Sequence, residues 1–596
     1  MPPLPVDPQG RSRLLVLVVA LLAVVLVVTG AVVTWWSGDD GGGPDTARGE
    51  EPEPSNSAEP AQLQPTTSPP PHQASRPNIV TILTDDMRTD DLRWMPNVRR
   101  LIEDEGLTFR NSFSPNPICA PARASLLSGQ QSHNTGVFSV HDDNGFQAFD
   151  DRRTLATSLN SAGYNTLFLG KYINGYGRQS LASTGGSSFD YVPPGWTDWY
   201  GSVERPAGSG YPSGGTYSYY HVIYNVNGTI DDTYEKRYQA EVEGQISSAM
   251  VRKYHRSPKP FFMYLAPIAP HFGAPREKDD PVDVVWPDTG RHEKMKSPAR
   301  PRKVRGRFDA EILRAAGLPR DGGPSERDMS DKPLPIRDLP ELSPAERVAV
   351  RSLTRQRAET LFAYDRQIGR LVQTLKSTGE YRNTVLMFTS DNGYFLGEHR
   401  VRQGKIKAHE PSLRVPFLIA GPGVPHGDRF DPITTDDITA TIVDIARARP
   451  PHPPDGRSVV PSFQGDRGWK VPVLTEGVES SSTFDDRSVG EALGFDDTRT
   501  TIGIRTSRWK YIRYVNGEGE LYDLDRDPNE QSSVYGRPRY AEVQSQLHRL
   551  WMTYKDCEAA SCRRAMPRAL QRGPARNEAG TQRQARRFEE RFGYVR

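Results

Sequence analysis

Along the 596-residue chain the apolar positions come first as one unbroken block and then as short separated runs. Leu14 to Trp36 is uncharged and almost wholly apolar; as a helix rising ~1.5 Å per residue it reaches ~35 Å, enough to cross a hydrocarbon core ~30 Å thick. Residues 37–75 carry almost nothing to bury and read as a disordered linker. Folded structure is expected from Arg76, because Asn78 to Thr84 has the continuous apolar character of a buried strand. Strand and helix signals then alternate. "MPNVRRLIEDEG" has helical period, with Gly106 placed to end it. "TLATSLNSAGYNTLFLGKY" gives a helix, a stop at Gly163 and a strand, and "KPFFMYLAPIAPHF" gives another strand. A long helix and the strand Thr384 to Thr389 follow, then "RVPFLIAGPG" and the helix of "TTDDITATIVDIARA". Helices between buried strands predict an α/β fold with a large, mostly parallel sheet flanked by helices. Around Thr501 the period changes to two, with a turn at Asn516-Gly517 and a helix from about Tyr540 to Tyr554, so a small C-terminal α+β domain with an antiparallel sheet is expected.

Charge refines this layout. Arg11 and Arg13 precede the apolar block and Asp39 and Asp40 follow it. By the positive-inside rule residues 1–13 lie in the cytoplasm, 14–36 form a single-pass signal anchor in the cell membrane, and the rest is extracytoplasmic. A cleaved signal peptide is the alternative and would make the protein secreted, but its apolar region is normally ~7–15 residues and ends at small side chains. Here the block ends in Trp35-Trp36. With 76 Lys+Arg against 74 Asp+Glu, no global field points to a nucleic-acid partner. Residues 276–340 look like an insertion; its basic run at 291–307 reads either as a gatherer of polyanionic glycan or as a solvated loop. The tail, 565–596, reads as arginine-rich and either disordered or lying on an acidic cell surface.

The candidate chemistry sits at strand ends, where ligands collect in such folds. Asp85 and Asp86 end the first strand, His271 follows the third, and Asp391 and Asn392 end the fourth. Four oxygen-bearing side chains suit a hard divalent cation, Ca2+ or Mg2+. Each pair alone also reads as turn residues or helix caps. Cys119, in "NPICAPARASLLSG", lies just ahead of a helix start marked by Pro121, with Arg123 four positions on. A group there faces free N–H donors and the positive end of the helix dipole, which favour an anion. A buried structural thiol and a reactive free thiol are the other readings.

Residues 119–129, Cys-Ala-Pro-Ala-Arg-Ala-Ser-Leu-Leu-Ser-Gly, resemble the signature of the sulfatases, members of the alkaline-phosphatase-like superfamily. The resemblance runs from about Arg76 to Arg564. It is nearest to the N-acetylglucosamine-6-sulfatase branch through "GKYINGYG" (170–177), "VPPGWTDWY" (192–200), "FFMYLAPIAPH" (261–271), "NTVLMFTSDNGYFLGEH" (383–399), "RVPFLIAGPG" (414–423) and the terminal Cys557…Cys562-Arg563. It implies a catalytic domain over 76–465 and a C-terminal α+β subdomain over 466–564. It also implies that a formylglycine-generating enzyme oxidises Cys119 to Cα-formylglycine (3-oxoalanine), whose hydrate is the nucleophile toward sulfur. Asp85, Asp86, Asp391 and Asn392, with the modified Cys119, would hold Ca2+, with Mg2+ as the alternative. Arg123 would hold the modified residue, Lys171 and Lys405 the sulfate oxygens, and His271 would protonate the leaving alcohol. Spacing to Glu410 favours Lys405 over Lys407. Asn174 and His399 are read as substrate lining, His133 as packing, and Cys557–Cys562 as a short disulfide that leaves Cys119 unpaired. Many arylsulfatases carry a histidine where this chain has Ile173. The expected activity is hydrolysis of sulfate esters on sulfated carbohydrates such as N-acetylglucosamine 6-sulfate, or on aryl sulfates. A phosphonate or phosphate monoester hydrolase and a non-catalytic, membrane-tethered glycan-binding protein are the alternatives.

Overall fold

The computed structural model describes residues 76–593 apart from 141–143, 206–209, 212, 282, 286–291, 478–491, 494 and 496–498. The Leu14–Trp36 block and the linker lie outside the described residues, and among those described no helix is long and apolar enough to cross a membrane.

Ten strands form the main sheet: β1 (Asn78–Thr84), β2 (Leu107–Phe113), β3 (Asn165–Lys171), β4 (Asp198–Ser202), β5 (Tyr224–Val226), β6 (Thr229–Asp231), β7 (Phe261–Ala266) and, after a separate ribbon of β8 (Asp283–Val285) and β9 (His292–Lys294), β10 (Thr384–Ser390), β11 (Phe417–Ala420) and β12 (Gly427–Thr434). Their order is β12-β2-β11-β10-β1-β7-β3-β4-β5-β6. The centre, β10-β1-β7-β3-β4, is parallel, as the alternation of strands and helices requires. The edges are not. β11 runs antiparallel between β10 and β2, because no helix long enough to carry a crossover lies between Ser390 and Phe417.

The helices that cover the sheet are α1 (Cys119–Ser128), α2 (Leu155–Ser161), α3 (Gln239–Tyr254), α4 (Pro344–Ser377) and α5 (Thr435–Ala446). β1 is apolar throughout because both its faces are buried. Val80 and Ile82 enter a core with Met263, Leu361 and Leu371 on the α3/α4 side. Ile79 and Leu83 enter another with Leu126, Phe262, Ile438 and Ile442 on the α1/α5 side. The start of α4 is set locally: Ser343 Oγ accepts from Glu346 N, Glu346 returns a bond to Ser343 N, and Pro344 takes the first helical position.

The C-terminal antiparallel sheet has four strands, β13 (Val473–Gly477), β14 (Thr501–Arg505), β15 (Trp509–Tyr514) and β16 (Gly519–Asp523), covered by α6 (Ala541–Tyr554). Its core includes Phe113 and Leu413 from the main sheet region, so the two parts share one apolar interior. Cys557 and Cys562 are disulfide-bonded.

Three expectations change. The "MPNVRRLIEDEG" helix is a short turn followed by a wider one over Arg99–Glu103. Gly106 is not its left-handed cap; a Cβ there would lie 2.1 Å from Ile419 O, so glycine is needed for the close approach of β11. The tail is ordered as α7 (Pro574–Phe592). Phe588 and Phe592, one turn apart, bury themselves against Leu318, Val350 and Leu353, and Asn577, Thr581 and Gln584 are buried on the same stripe. That buried stripe holds three polar residues and Gly580 but only two large apolar side chains, so apolar periodicity marks it weakly. In the insertion, Met295, Ala315 and Leu318 also pack inward, while Arg300 is buried among Glu277, Asp279 and Glu359. Lys303 and Arg305 pair with Glu241 and Glu277. Much of the described basic run is therefore neutralised within the fold.

Candidate active site

The register of the parallel strands assembles the site. Thr84 lies opposite Ser390, so the residues that follow, Asp85-Asp86 and Asp391-Asn392, leave adjacent strands side by side. Asp86 N donates to Asp391 Oδ1 at 3.1 Å, and Asn392 Nδ2 donates to Asp86 Oδ1 at 2.7 Å. On the other side of β1, β7 leads to His271, and β3 ends on Lys171. Asp86 holds a left-handed backbone, φ 68°, a conformation aspartate tolerates better than bulkier residues.

Helix α1 delivers the cysteine. Cys119 is its first residue rather than the residue ahead of it, and Gly129, φ 77°, ends it with its N–H on Ser125 O. Cys119 Sγ lies 3.3 Å from Asp85 Oδ1 and 2.7 Å from Lys405 Nζ. Ligand atoms of Asp85, Asp86, Cys119 and His271 all fall within 4.8 Å of one another. Arg123, four residues along α1, sends Nε to Asp391 Oδ2 at 2.9 Å, Nη2 toward Asp85 at 3.5 Å and Nη1 to Lys171 O at 2.7 Å. Lys171 Nζ meets Asp85 Oδ2 at 2.6 Å, and Lys405 Nζ pairs with Asp86 Oδ1.

These charges tune one another. Burial opposes ionisation of Asp85, yet Lys171, His271, Arg123 and Lys405 outweigh it and hold the carboxyl well below its usual range. Burial, together with Asp85, pushes Asp391 up to about 6. Burial and then Asp85 push the Cys119 thiol up to about 12, so an unmodified Cys119 would be protonated and weakly nucleophilic at neutral pH. Burial lowers His271 to about 4 against the pull of Asp85 and Asp86. Its Nδ1 lies 2.8 Å from Phe272 O, an acceptor, so Nδ1 carries the ring hydrogen and Nε2 faces Asp86 Oδ2 at 3.8 Å.

Asp85, Asp86, Cys119, Arg123, Lys171, His271, Asp391, Asn392 and Lys405 thus converge as the motifs imply. Asn174 stands beside them, donating to Tyr217 Oη at 2.6 Å. His399 does not join them. It is buried with Nδ1 2.6 Å from Glu326 Oε2 and its ring 4.8 Å from that of His409, which makes it part of an ionic cluster packed against the C-terminal sheet rather than a substrate wall. His133 packs structurally, as read, between Glu476 Oε1 (3.0 Å) and Cys557 O (2.6 Å). One residue escaped the sequence reading: Tyr217 places its ring 4.9 Å from His271 and 5.0 Å below Lys171 Nζ. It lies in a Tyr-, Gly- and Ser-rich stretch with no motif to single it out.

A comparison with known families matches residues 77–448 to the family described as Sulfatase, and residues 397–556 to that described as N-sulphoglucosamine sulphohydrolase, C-terminal. The chain belongs to the sulfatase family. This sulfatase is 29% identical over 532 residues to an arylsulfatase of Volvox carteri, covering 82% of this chain and 76% of the relative. It is 26% identical over 524 residues to the N-acetylglucosamine-6-sulfatase of Homo sapiens, covering 82% and 86%. Among solved structures it resembles a complex of a protein with its substrate D-glucosamine-2-N,6-O-disulfate, with TM-score 0.57, 22% identity and coverage of 81% and 99%. A phosphonate monoester hydrolase from Silicibacter pomeroyi matches with TM-score 0.57, 20% identity and coverage of 83% and 99%. The fold is that of the alkaline-phosphatase-like superfamily, and the enzyme is a hydrolase of sulfate esters.

Proposed function

We propose that this sulfatase removes sulfate from sulfated amino sugars of the N-acetylglucosamine 6-sulfate type, with Cys119 matured to Cα-formylglycine and a divalent cation, Ca2+ or Mg2+, at the acidic centre. The observation that carries the reading is the meeting of two acidic pairs, three hundred residues apart in the chain, around the first residue of α1. The donor set fits a hard cation: Asp85, Asp86 and Asp391 offer carboxylate oxygens, and Asn392 Oδ1 is buried without a hydrogen-bond partner among the described residues. Asp85, Asp86, Asp391 and Asn392 would hold the ion. When bound, it would lower the pKa of a hydroxyl on the hydrated formylglycine and offset charge on the sulfate.

The remaining roles belong to the chain itself. Arg123 orients the start of α1 against Asp391 and Asp85. Lys171 and Lys405 supply positive charge from two sides, where sulfate oxygens would lie and where charge develops in the transition state. His271, neutral while the site is empty of substrate, gains affinity for a proton at Nε2 when an anionic ester sits beside it, and passes that proton to the leaving oxygen. The likeness to N-acetylglucosamine-6-sulfatases supports the choice of sugar. We place the catalytic region outside the cytoplasmic membrane, tethered by Leu14–Trp36.

Mass spectrometry of the tryptic peptide containing residue 119 tests the maturation, using protein made in a host with the formylglycine-generating enzyme. Turnover with an intact thiol at that position would overturn it. Asp391→Ala should lose both bound cation, read by elemental analysis, and turnover. Rates on 4-nitrophenyl sulfate and 4-nitrophenyl phosphate separate a sulfatase preference from a phosphatase one.

A further inference from the structure

We infer that Arg357 is a positioning residue for the acidic centre: it ties the main chain of Asp86 to the segment that follows Asp391-Asn392, and so sets cation affinity without being a ligand or touching substrate. This rests on the cation reading above and extends it. Arg357 stands on α4, with Leu353 and Leu361 buried one turn to either side, so its stem leaves a long helix fixed in the core. The side chain is itself buried. Its Nη2 donates to Asp86 O at 2.5 Å and meets Asp91 Oδ2 at 3.2 Å, and its Cζ lies 4.3 Å from the centroid of the Tyr394 ring. Tyr394 is the second residue after Asn392. One guanidinium therefore touches both segments that carry the acidic pairs.

The grip matters because of the conformation it holds. Asp86 has φ 68°, a sparsely populated state for a residue with a Cβ, which persists only where neighbours fix it. Asp86 N donates to Asp391 Oδ1 at 3.1 Å, and Asp86 Oδ1 accepts from Asn392 Nδ2 at 2.7 Å. A cation drawing on the oxygens of Asp86 and Asp391 would compete with both of those bonds. Arg357 takes only the main-chain oxygen, so its bond does not compete with an ion and leaves both carboxylate oxygens of Asp86 for other partners. Charge is arranged to the same end. A buried guanidinium this near the centre would by itself repel a cation. Asp91 offsets it, and also accepts from Arg88 N at 3.2 Å. Arg88 completes the brace, with Nη1 donating to Tyr394 O at 2.6 Å and Nη2 2.8 Å from Glu398 Oε1. Groups that hold metal ligands in this way change metal affinity by about 10–100-fold when they are lost.

Calorimetry on the full chain, stripped with EDTA, reads Ca2+ affinity without reference to turnover. The double variant Arg357→Met, Asp91→Asn removes the grip, keeps the net charge and strands neither member of the ion pair; it should bind Ca2+ at least about tenfold more weakly than wild type. Arg357→Lys keeps the ion pair and guards against a folding defect in the double variant; without the planar fork it should bind about threefold or more weakly. At saturating Ca2+ both variants should hydrolyse 4-nitrophenyl sulfate within about threefold of wild type, which neither a lost catalytic group nor a damaged fold would allow. Wild-type Ca2+ affinity in the variants, or lost turnover that saturating Ca2+ does not restore, overturns the role of Arg357 and leaves the cation reading standing. A wild-type chain that binds neither Ca2+ nor Mg2+ overturns the cation reading and this inference with it.

Discussion

Replacing Arg123 with methionine keeps the length of the side chain and deletes its charge. The native guanidinium is 1% exposed, with Nε 2.9 Å from Asp391, Nη2 3.5 Å from Asp85 and Nη1 on Lys171 O. Asp85 retains Lys171 at 2.6 Å after the change, but the ion pair of Asp391 is with Arg123 alone among the described residues. Stranding a buried carboxylate in this way costs about 3–5 kcal/mol. The lower end is expected, because burial and Asp85 already hold Asp391 near 6 and it can escape the penalty by taking a proton. Urea unfolding at pH 7.5 in EDTA should show a loss of about 3 kcal/mol. Added Ca2+ should recover part of it, since an ion bound only to the folded state stabilises by RT ln(1 + [L]/Kd). Arg123→Lys should fall between the two, restoring charge without the planar fork. If Arg123→Met unfolds within about 1 kcal/mol of wild type in EDTA, the picture of an acidic cage held by one guanidinium is wrong.

Other outcomes follow from the same geometry. Lys405→Met should lower kcat/KM about 10²–10³-fold with circular dichroism unchanged, since it removes a charge aimed at the sulfate; a loss under about threefold would place sulfate elsewhere. His399→Gln should cost stability of about 1–3 kcal/mol by removing the ring contact to Glu326 Oε2, although Glu326 keeps Lys332 at 2.8 Å on its other oxygen, while KM stays within about twofold; a KM rise beyond about fivefold would restore it to the substrate wall. Burial opposes protonation of His133, but Glu476 at 3.0 Å and the carbonyl of Cys557 win and raise it to about 9. Its unfolded value of about 6.5 lies lower, so the pair contributes in full below that pH and its contribution fades as pH rises through about 9. Thermal unfolding of wild type and His133→Gln should therefore differ most near pH 6 and converge above pH 9; a constant gap across that range would sink the assignment.

Much of the site can be read from residue order, because its elements carry local signals. β1 is an apolar run bounded by Asp85-Asp86, and β10 matches it, bounded by Asp391-Asn392. Pro121 and Gly129 bracket α1 well enough to put Cys119 and Arg123 at the right end of a helix. His399 misled for a physical reason: its neighbours in the chain are site-like, but its side chain turns into Glu326, which comes from the insertion 73 residues earlier. The C-terminal tail misled because the stripe that docks it carries only two large apolar side chains, Phe588 and Phe592. Gly106 looks like a cap in sequence and is in fact a contact point for β11, which no local pattern encodes.

By itself, then, the order of residues determined the family, the alternation of strands and helices, and the kinds of side chain present at each strand end. Those follow from short-range rules, since period, capping and turn chemistry act within a few residues. The tertiary structure alone decided that Thr84 would face Ser390, that Lys171 would meet Asp85 while Lys405 meets Asp86, and that Tyr217 would pack its ring beside His271. Such meetings depend on strand register and on loops pinned to distant backbone, and they are selected by burial summed over the whole sheet rather than by any segment's own preference.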